Sequence, residues 1–309
     1  MTRVAVVDIG TNSTRLLIAD VDPATRRVVE VDRRTTVTRL GEGVDRTGTL
    51  APAAMERVER ALAEYRGAID AAGADAVTGV LTSAVRDARN GAEFTARVNE
   101  AYNIGARTIT GDEEARLTYL GATDRRGGDA PVVVIDVGGG STELVVGHGA
   151  TVDFHVSTQA GVVRQTERFL RTDPPRPEEL QQLKAEAEDI FNGAVPPAVR
   201  GAVEGGIAVA GTATSCATIL QDLDPYDPTR VHGFRLLRAQ CEMLLARLAA
   251  MTTEQRRHVT GLHPDRAPAI VAGVILLIEA MRCFGLDEVE VSEHDILRGA
   301  ALDRAAASA

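Results

Sequence analysis

Two stretches decide how this chain reads: VAVVDIGTNS, from Val4 to Ser13, and VVVIDVGGGSTE, from Val132 to Glu143. Each is a run of β-branched residues ending in Asp, then one apolar residue, then a glycine turn carrying hydroxyls. Such a run reads as a buried strand with Asp8 or Asp136 at its carboxyl end. The glycines let the following backbone turn tightly and aim N–H groups at an anion. One such loop is equally well explained as a tight turn. Two, each preceded by Asp, favour phosphate cradles at Gly10, Thr11, Asn12 and Ser13 and at Gly138, Gly139, Gly140, Ser141 and Thr142. Asp8, Asp136 and Glu143 are candidate metal ligands, oxygen donors that suit Mg²⁺, with Mn²⁺ the alternative. Asp136 and Glu143 flank one glycine turn, so a strand–turn–strand brings both to the same phosphate. Glu143 also reads as a plain strand residue, because Thr142–Val146 alternates. Two half-sites facing each other would clamp a phosphate chain and its metal, which points to phosphoryl chemistry.

At 309 residues the chain has room for two domains, and 44% apolar content supports real cores. Aromatic residues are 3% with no Trp, so those cores must be Val, Leu, Ile and Ala. Lys184 is the sole lysine and arginine carries the positive charge. A net charge of −10 argues against a nucleic-acid partner. It also means that a polyanionic substrate must be drawn by local arginines and metal. Cys216, Cys241 and Cys283 form no CxxC pair and read as small hydrophobes of a reducing compartment. The first apolar run is short and ends in Asp8, unlike a signal peptide, and Ala267–Ile278 is too short to span a bilayer. A cytoplasmic protein with no membrane partner is expected.

Along the chain, strands are expected at 3–8, 14–21 and 27–38, a helix at Ala51–Ala72 and a strand at Ala76–Leu81. A loop (Thr82–Ala88), a helix to Tyr102, a strand at Arg107–Ile109 and a helix from Asp112 follow. The polar segment Thr123–Ala130, TDRRGGDA, marks the crossing between a domain at 1–123 and one at 124–309. Beyond it the pattern restarts with strands at 131–136, 142–147 and 151–157, two helices, a strand at 206–210 and a glycine turn into a helix. That repetition suggests internal duplication. Arg171–Glu179 is a proline-rich connector, and helices at 266–284 and 295–306 bracket a strand at Glu288–Val291. The last helix, 295–309, is placed to pack back on the first domain.

Other candidates are ambiguous on spacing alone. Arg86, in TSAVRDA, lies just past a strand end and can pair bidentately with phosphate, yet a surface arginine at a helix start explains it better. Arg39 shares that ambiguity. Asp112, Glu113 and Glu114 open a helix, where acids serve the macrodipole; alternatively one of them activates a water. Gly211 and Thr212 begin GTATSCA, a third glycine–hydroxyl turn that either binds an anion or simply caps a helix. His232 and His263 read as loop residues. There is no Ser–His–Asp pattern and no zinc spacing.

Assembled in order, VVDIGTNSTRLLI, TRLGEGVDRTGTL, LTSAVRDARN, TGDEEARLTYLG, VVIDVGGGSTELVV, AGTATSCATI, VHGFRL and LHPDRAPAIVAGVILL resemble the exopolyphosphatase/guanosine pentaphosphate phosphohydrolase (Ppx/GppA) family, in its short form without a C-terminal HD-like domain. The resemblance implies an α/β fold of two ribonuclease-H-like domains of the actin-like ATPase superfamily with an interdomain cleft. It implies Glu114 as catalytic base, Asp136 and Glu143 as the acidic pair around metal and water, Arg86 on phosphate, and a homodimer. The expected activity is Mg²⁺-dependent removal of terminal phosphate from inorganic polyphosphate, with guanosine pentaphosphate the alternative substrate. A small-molecule kinase and a non-enzymatic polyphosphate or nucleotide sensor are the rival classes. One departure stands out: SEHDILRGAAL occupies the place of a glycine-rich segment, so His294 and Asp295 replace the family's usual residues while Arg298 and Gly299 remain.

Overall fold

A computed structural model describes residues 1–124, 126–127 and 129–307. Arg125 and Gly128 of the expected crossing lie outside the described residues, as do positions 308 and 309. The chain divides into two units, Met1–Arg125 with His294–Ala309, and Arg126–Glu293.

In the first unit, β1 (Thr2–Ile9), β2 (Ser13–Asp22) and β3 (Arg27–Val37) form an antiparallel meander. Strands β4 (Ala76–Leu81) and β5 (Ala106–Thr108) add in parallel, giving the order β3-β2-β1-β4-β5. Strand β1 is buried on both faces, as its unbroken apolar run requires. Ala5, Val7 and Ile9 pack in one apolar cluster with residues of the Pro52–Ala72 and Gly91–Tyr102 helices. Val4 and Val6 pack in another with Ile296, Leu297 and Ala301 of the C-terminal Ile296–Ala306 helix and Leu117 of the Gly111–Ala122 helix.

The second unit repeats this plan. Strands β6 (Val132–Val137), β7 (Thr142–His148) and β8 (Thr151–Thr158) form the meander, and β9 (Gly205–Val209) joins β6 in parallel. Strands β10 (Arg235–Leu237) and β11 (Glu288–Val291) complete the order β10-β11-β9-β6-β7-β8. Reading β8-β7-β6-β9-β11 against β3-β2-β1-β4-β5 shows the same order and the same strand directions. These are two ribonuclease-H-like α/β units. The apolar core of the second is built on the Ile270–Cys283 helix, in which all residues but Arg282 and Cys283 are buried. Cys216 and Cys241 are buried and Cys283 partly so, all as free thiols.

Several local expectations are corrected. Ser83–Asp87 is a short helix rather than loop, and β10 is a strand for which no expectation was made. Gly211 makes no turn, because β9 runs directly into the Ala210–Leu220 helix through Ala210 at φ 64°. The C-terminal helix groups with the first unit. No helix among the described residues is long and apolar enough to cross a membrane.

At the β7–β8 turn, His148 Nδ1 lies 2.6 Å from Asp153 Oδ2, and that hydrogen bond holds the imidazole pKa above its ordinary value. A raised folded pKa means that the stabilisation is present below about pH 6.5 and is lost as pH rises through the raised value. Asp153→Asn should bring the His148 midpoint back toward the ordinary value in an NMR titration. An unchanged midpoint would show that the contact is not formed in solution.

Candidate active site

The first half-site sits at the carboxyl end of β1. Gly10 N–H donates to Ser13 O (2.9 Å), closing the turn. Behind it, Gly41 N–H donates to Thr11 O (2.8 Å), and the Thr38 and Arg39 N–H groups donate to Asn12 O (3.0 and 2.9 Å). Peptide planes are trans, so a carbonyl drawn backwards turns the following N–H forwards. Neither the N–H nor the side chain of Asn12 has a protein partner among the described residues. Arg39 thus contributes its backbone, held at φ 49°.

The Ser83–Asp87 helix joins this loop through Ala84 N–H, which donates to Thr11 Oγ1 (3.2 Å). On the same helix, Arg86 Nη1 donates to Glu114 Oε2 (3.0 Å) and Ile109 O (3.1 Å). Its Nε and Nη2 have no partner among the described residues, so half the guanidinium is anchored and half is left to meet an anion. Burial separates the three acids. Asp112 is exposed; Glu113 is engaged by Arg107, whose hydrogen bond lowers its pKa; Glu114 is buried beside Arg86.

Asp8 and Arg15 are cross-strand partners. Arg15 Nε and Nη2 donate to Asp8 Oδ2 (2.9 and 2.6 Å), while its Nη1 donates to Asp295 Oδ2. Asp295 also caps the C-terminal helix through Leu297 N–H (3.0 Å). The departure at Asp295 therefore serves to anchor Arg15. Burial raises the Asp8 pKa despite Arg15, and the buried Asp8 Oδ1 has no hydrogen-bond partner among the described residues.

The second half-site copies the first. Gly138 N–H donates to Ser141 O (3.0 Å), and Val162 and Val163 N–H donate to Gly138 O and Gly139 O (2.9 and 2.8 Å). The N–H groups of Gly139, Gly140 and Ser141 have no protein acceptor among the described residues. The backing segments correspond in sequence, Thr38–Gly41 (TRLG) and Thr158–Gly161 (TQAG). Both end in a glycine that the cradle requires: a Cβ on Gly41 would lie 2.2 Å from Thr11 Cγ2, and one on Gly161 2.2 Å from Gly140 C. The sequence reading missed this second repeat.

Asp136 and Glu143 face each other as a cross-strand pair, both buried, with Ser157 Oγ donating to Glu143 Oε1 (2.7 Å). Two of the candidate hydroxyls lie in the interior. Thr142 is fully buried and spends its hydroxyl proton on Ala160 O, so it braces the loop from within. Thr212 is also buried, its side chain packed so closely against Gly273 that a Cβ there would lie 2.7 Å from Thr212 Oγ1. Gly211 lies under Arg266, whose Nη1 donates to Gly211 O (2.9 Å) and Ser215 Oγ (3.0 Å); spacing gave no sign of that arginine.

Among the described residues no three His, Cys, Asp or Glu side chains gather as a metal cage. Mg²⁺ asks for less, since it is held by one or two carboxylates with waters and substrate phosphates. The buried cross-strand carboxylates Asp136 and Glu143 of the second unit are hard oxygen donors that fit it, and the buried Oδ1 of Asp8 is a donor of the same kind in the first.

Two ribonuclease-H-like units with glycine cradles, buried carboxylates and a half-anchored arginine define a phosphate-handling enzyme of the actin-like ATPase fold. The chain belongs to the Ppx/GppA phosphatase family, whose model matches residues 17–305, and it is a hydrolase acting on phosphoanhydride bonds. It is 38% identical to exopolyphosphatase 2 of Mycobacterium tuberculosis over 317 residues, with 99% of each chain covered. The solved structure of the Aquifex aeolicus Ppx/GppA family member matches with a TM-score of 0.83 at 30% identity, covering 99% of this chain and 98% of that one. An exopolyphosphatase-like protein of known structure matches at 0.91 and 34% identity, over 98% and 97% of the two chains.

Proposed function

We propose that this protein is an exopolyphosphatase that hydrolyses the terminal phosphate of inorganic polyphosphate with Mg²⁺. The observation that carries the reading is the buried Glu114 paired with a half-buried Arg86 on the helix tied to the first cradle, with the free edge of Arg86 available to an anion. Glu114 orients a water and takes its proton as the water attacks the terminal phosphorus in line, and the bridging P–O bond opposite breaks to release phosphate and the shortened chain. Arg86 and the forward-facing N–H groups of a glycine cradle offset charge on the phosphate oxygens. Asp136 and Glu143 would hold Mg²⁺ in the second unit, with Asp8 the candidate ligand in the first; the ion would supply charge neutralisation on phosphate oxygens.

Guanosine pentaphosphate would use the same machinery. Stacking a guanine favours an exposed aromatic ring, and Tyr226 is the only exposed aromatic residue among the described ones. The test is phosphate release with Mg²⁺ from short polyphosphate, long polyphosphate, guanosine pentaphosphate and ATP side by side. Release is expected from polyphosphate first. Preferential release from guanosine pentaphosphate would reassign the substrate, a phosphorylated acceptor with ADP would mark a kinase, and binding without release would mark a sensor.

A further inference from the structure

We propose that Arg164 is a positioning residue that sets the third forward-facing N–H of the second cradle; this rests on reading that loop as a phosphate site. Three successive carbonyls of the loop are drawn backwards, those of Gly138, Gly139 and Gly140. The first two accept from the backbone N–H groups of Val162 and Val163, which no substitution short of proline removes. The third accepts from the Arg164 side chain, Nε to Gly140 O at 2.9 Å. By peptide planarity, the N–H groups turned forwards are those of Gly139, Gly140 and Ser141. Only the last depends on a side chain.

The first cradle has no such dependence, because Gly41, Thr38 and Arg39 all act through backbone N–H. Without Arg164, the Gly140–Ser141 peptide is free to rotate, and a glycine on its amino side makes that rotation easy. A rotated peptide withdraws the Ser141 N–H and presents the Gly140 carbonyl to the phosphate. Attraction becomes repulsion from one lost contact 2.9 Å long. Lysine cannot substitute, since it lacks the planar Nε–H donor.

The experiment compares full-length wild type with Arg164→Ala and Arg164→Lys. It measures kcat and KM for short-chain polyphosphate, calorimetric affinity for inorganic phosphate, and thermal midpoint. In both variants KM should rise, and phosphate affinity fall, by on the order of tenfold, the scale of one hydrogen bond to a charged group. The thermal midpoint should hold, and millimolar guanidinium should restore Arg164→Ala. Unchanged KM and phosphate affinity overturn the proposal, whether or not the midpoint drops. Should Arg164→Ala fail to fold, Arg164→Lys decides the matter by the same readouts. A wild-type protein that binds phosphate yet releases none from polyphosphate overturns the exopolyphosphatase reading and leaves the Arg164 comparison to be scored on binding.

Discussion

Glu114→Gln should lower kcat on polyphosphate about 10³-fold, within the range that general-base catalysis contributes, while leaving the fold intact. Glutamine has the same shape, and its amide oxygen still accepts from Arg86 Nη1, the contact made by Glu114 Oε2 at 3.0 Å. What it loses is the capacity to take a proton. Glu114→Ala tests the other half of the pair. It removes the acceptor and leaves Arg86 Nη1 with Ile109 O alone (3.1 Å), so it should also cost about 1–3 kcal/mol of stability. Phosphate release and thermal melts on both variants separate the chemical loss from the structural one. Full turnover by Glu114→Gln would remove Glu114 from the reaction.

The parts of this site that were legible in the sequence are those whose physics is local. A buried strand, an Asp at its end and a glycine turn are contiguous, so both cradles could be placed from the residues alone. Choosing Glu114 from three adjacent acids could not be done that way. Helix N-termini favour all three, and only tertiary partners distinguish them, with Arg107 holding Glu113 and Arg86 meeting Glu114. Thr142 depends on tertiary context in the same way. A hydroxyl beside a phosphate loop looks like a ligand until the face it occupies is known, and here that face is the interior, against Ala160 O. Arg164 and Arg266 lie 24 and 55 residues from the groups they hold, and no periodicity encodes such distances. The TRLG and TQAG correspondence was present in the sequence. Its meaning depends on seeing that each glycine lies against the back of a cradle.

Gly299→Ala should destabilise the first unit by about 3 kcal/mol, the upper end of ordinary overpacking, and lower its thermal midpoint by on the order of 10 °C. The C-terminal helix and the Gly111–Ala122 helix approach backbone to backbone at two glycines. A Cβ on Gly299 would sit 1.8 Å from Leu117 O, and one on Gly121 would sit 1.9 Å from Asp295 O. Both obstacles are main-chain atoms inside packed elements, so no rotamer change relieves the clash and the helices must separate. Separation reaches the site from two sides. Leu117 is one turn from Glu114 on the same helix, and Asp295 holds Arg15, which holds Asp8. Activity should therefore fall in Gly299→Ala and Gly121→Ala even where the protein remains folded. Gly193→Ala is the control of opposite sign. It lies exposed in the Pro177–Ala194 helix, and a Cβ added there would meet nothing within 4 Å. Alanine at that position should stabilise by about 0.5–1 kcal/mol through helix propensity. Equal melting temperatures for the Gly299 and Gly193 variants would show that the two helices do not make this close crossing.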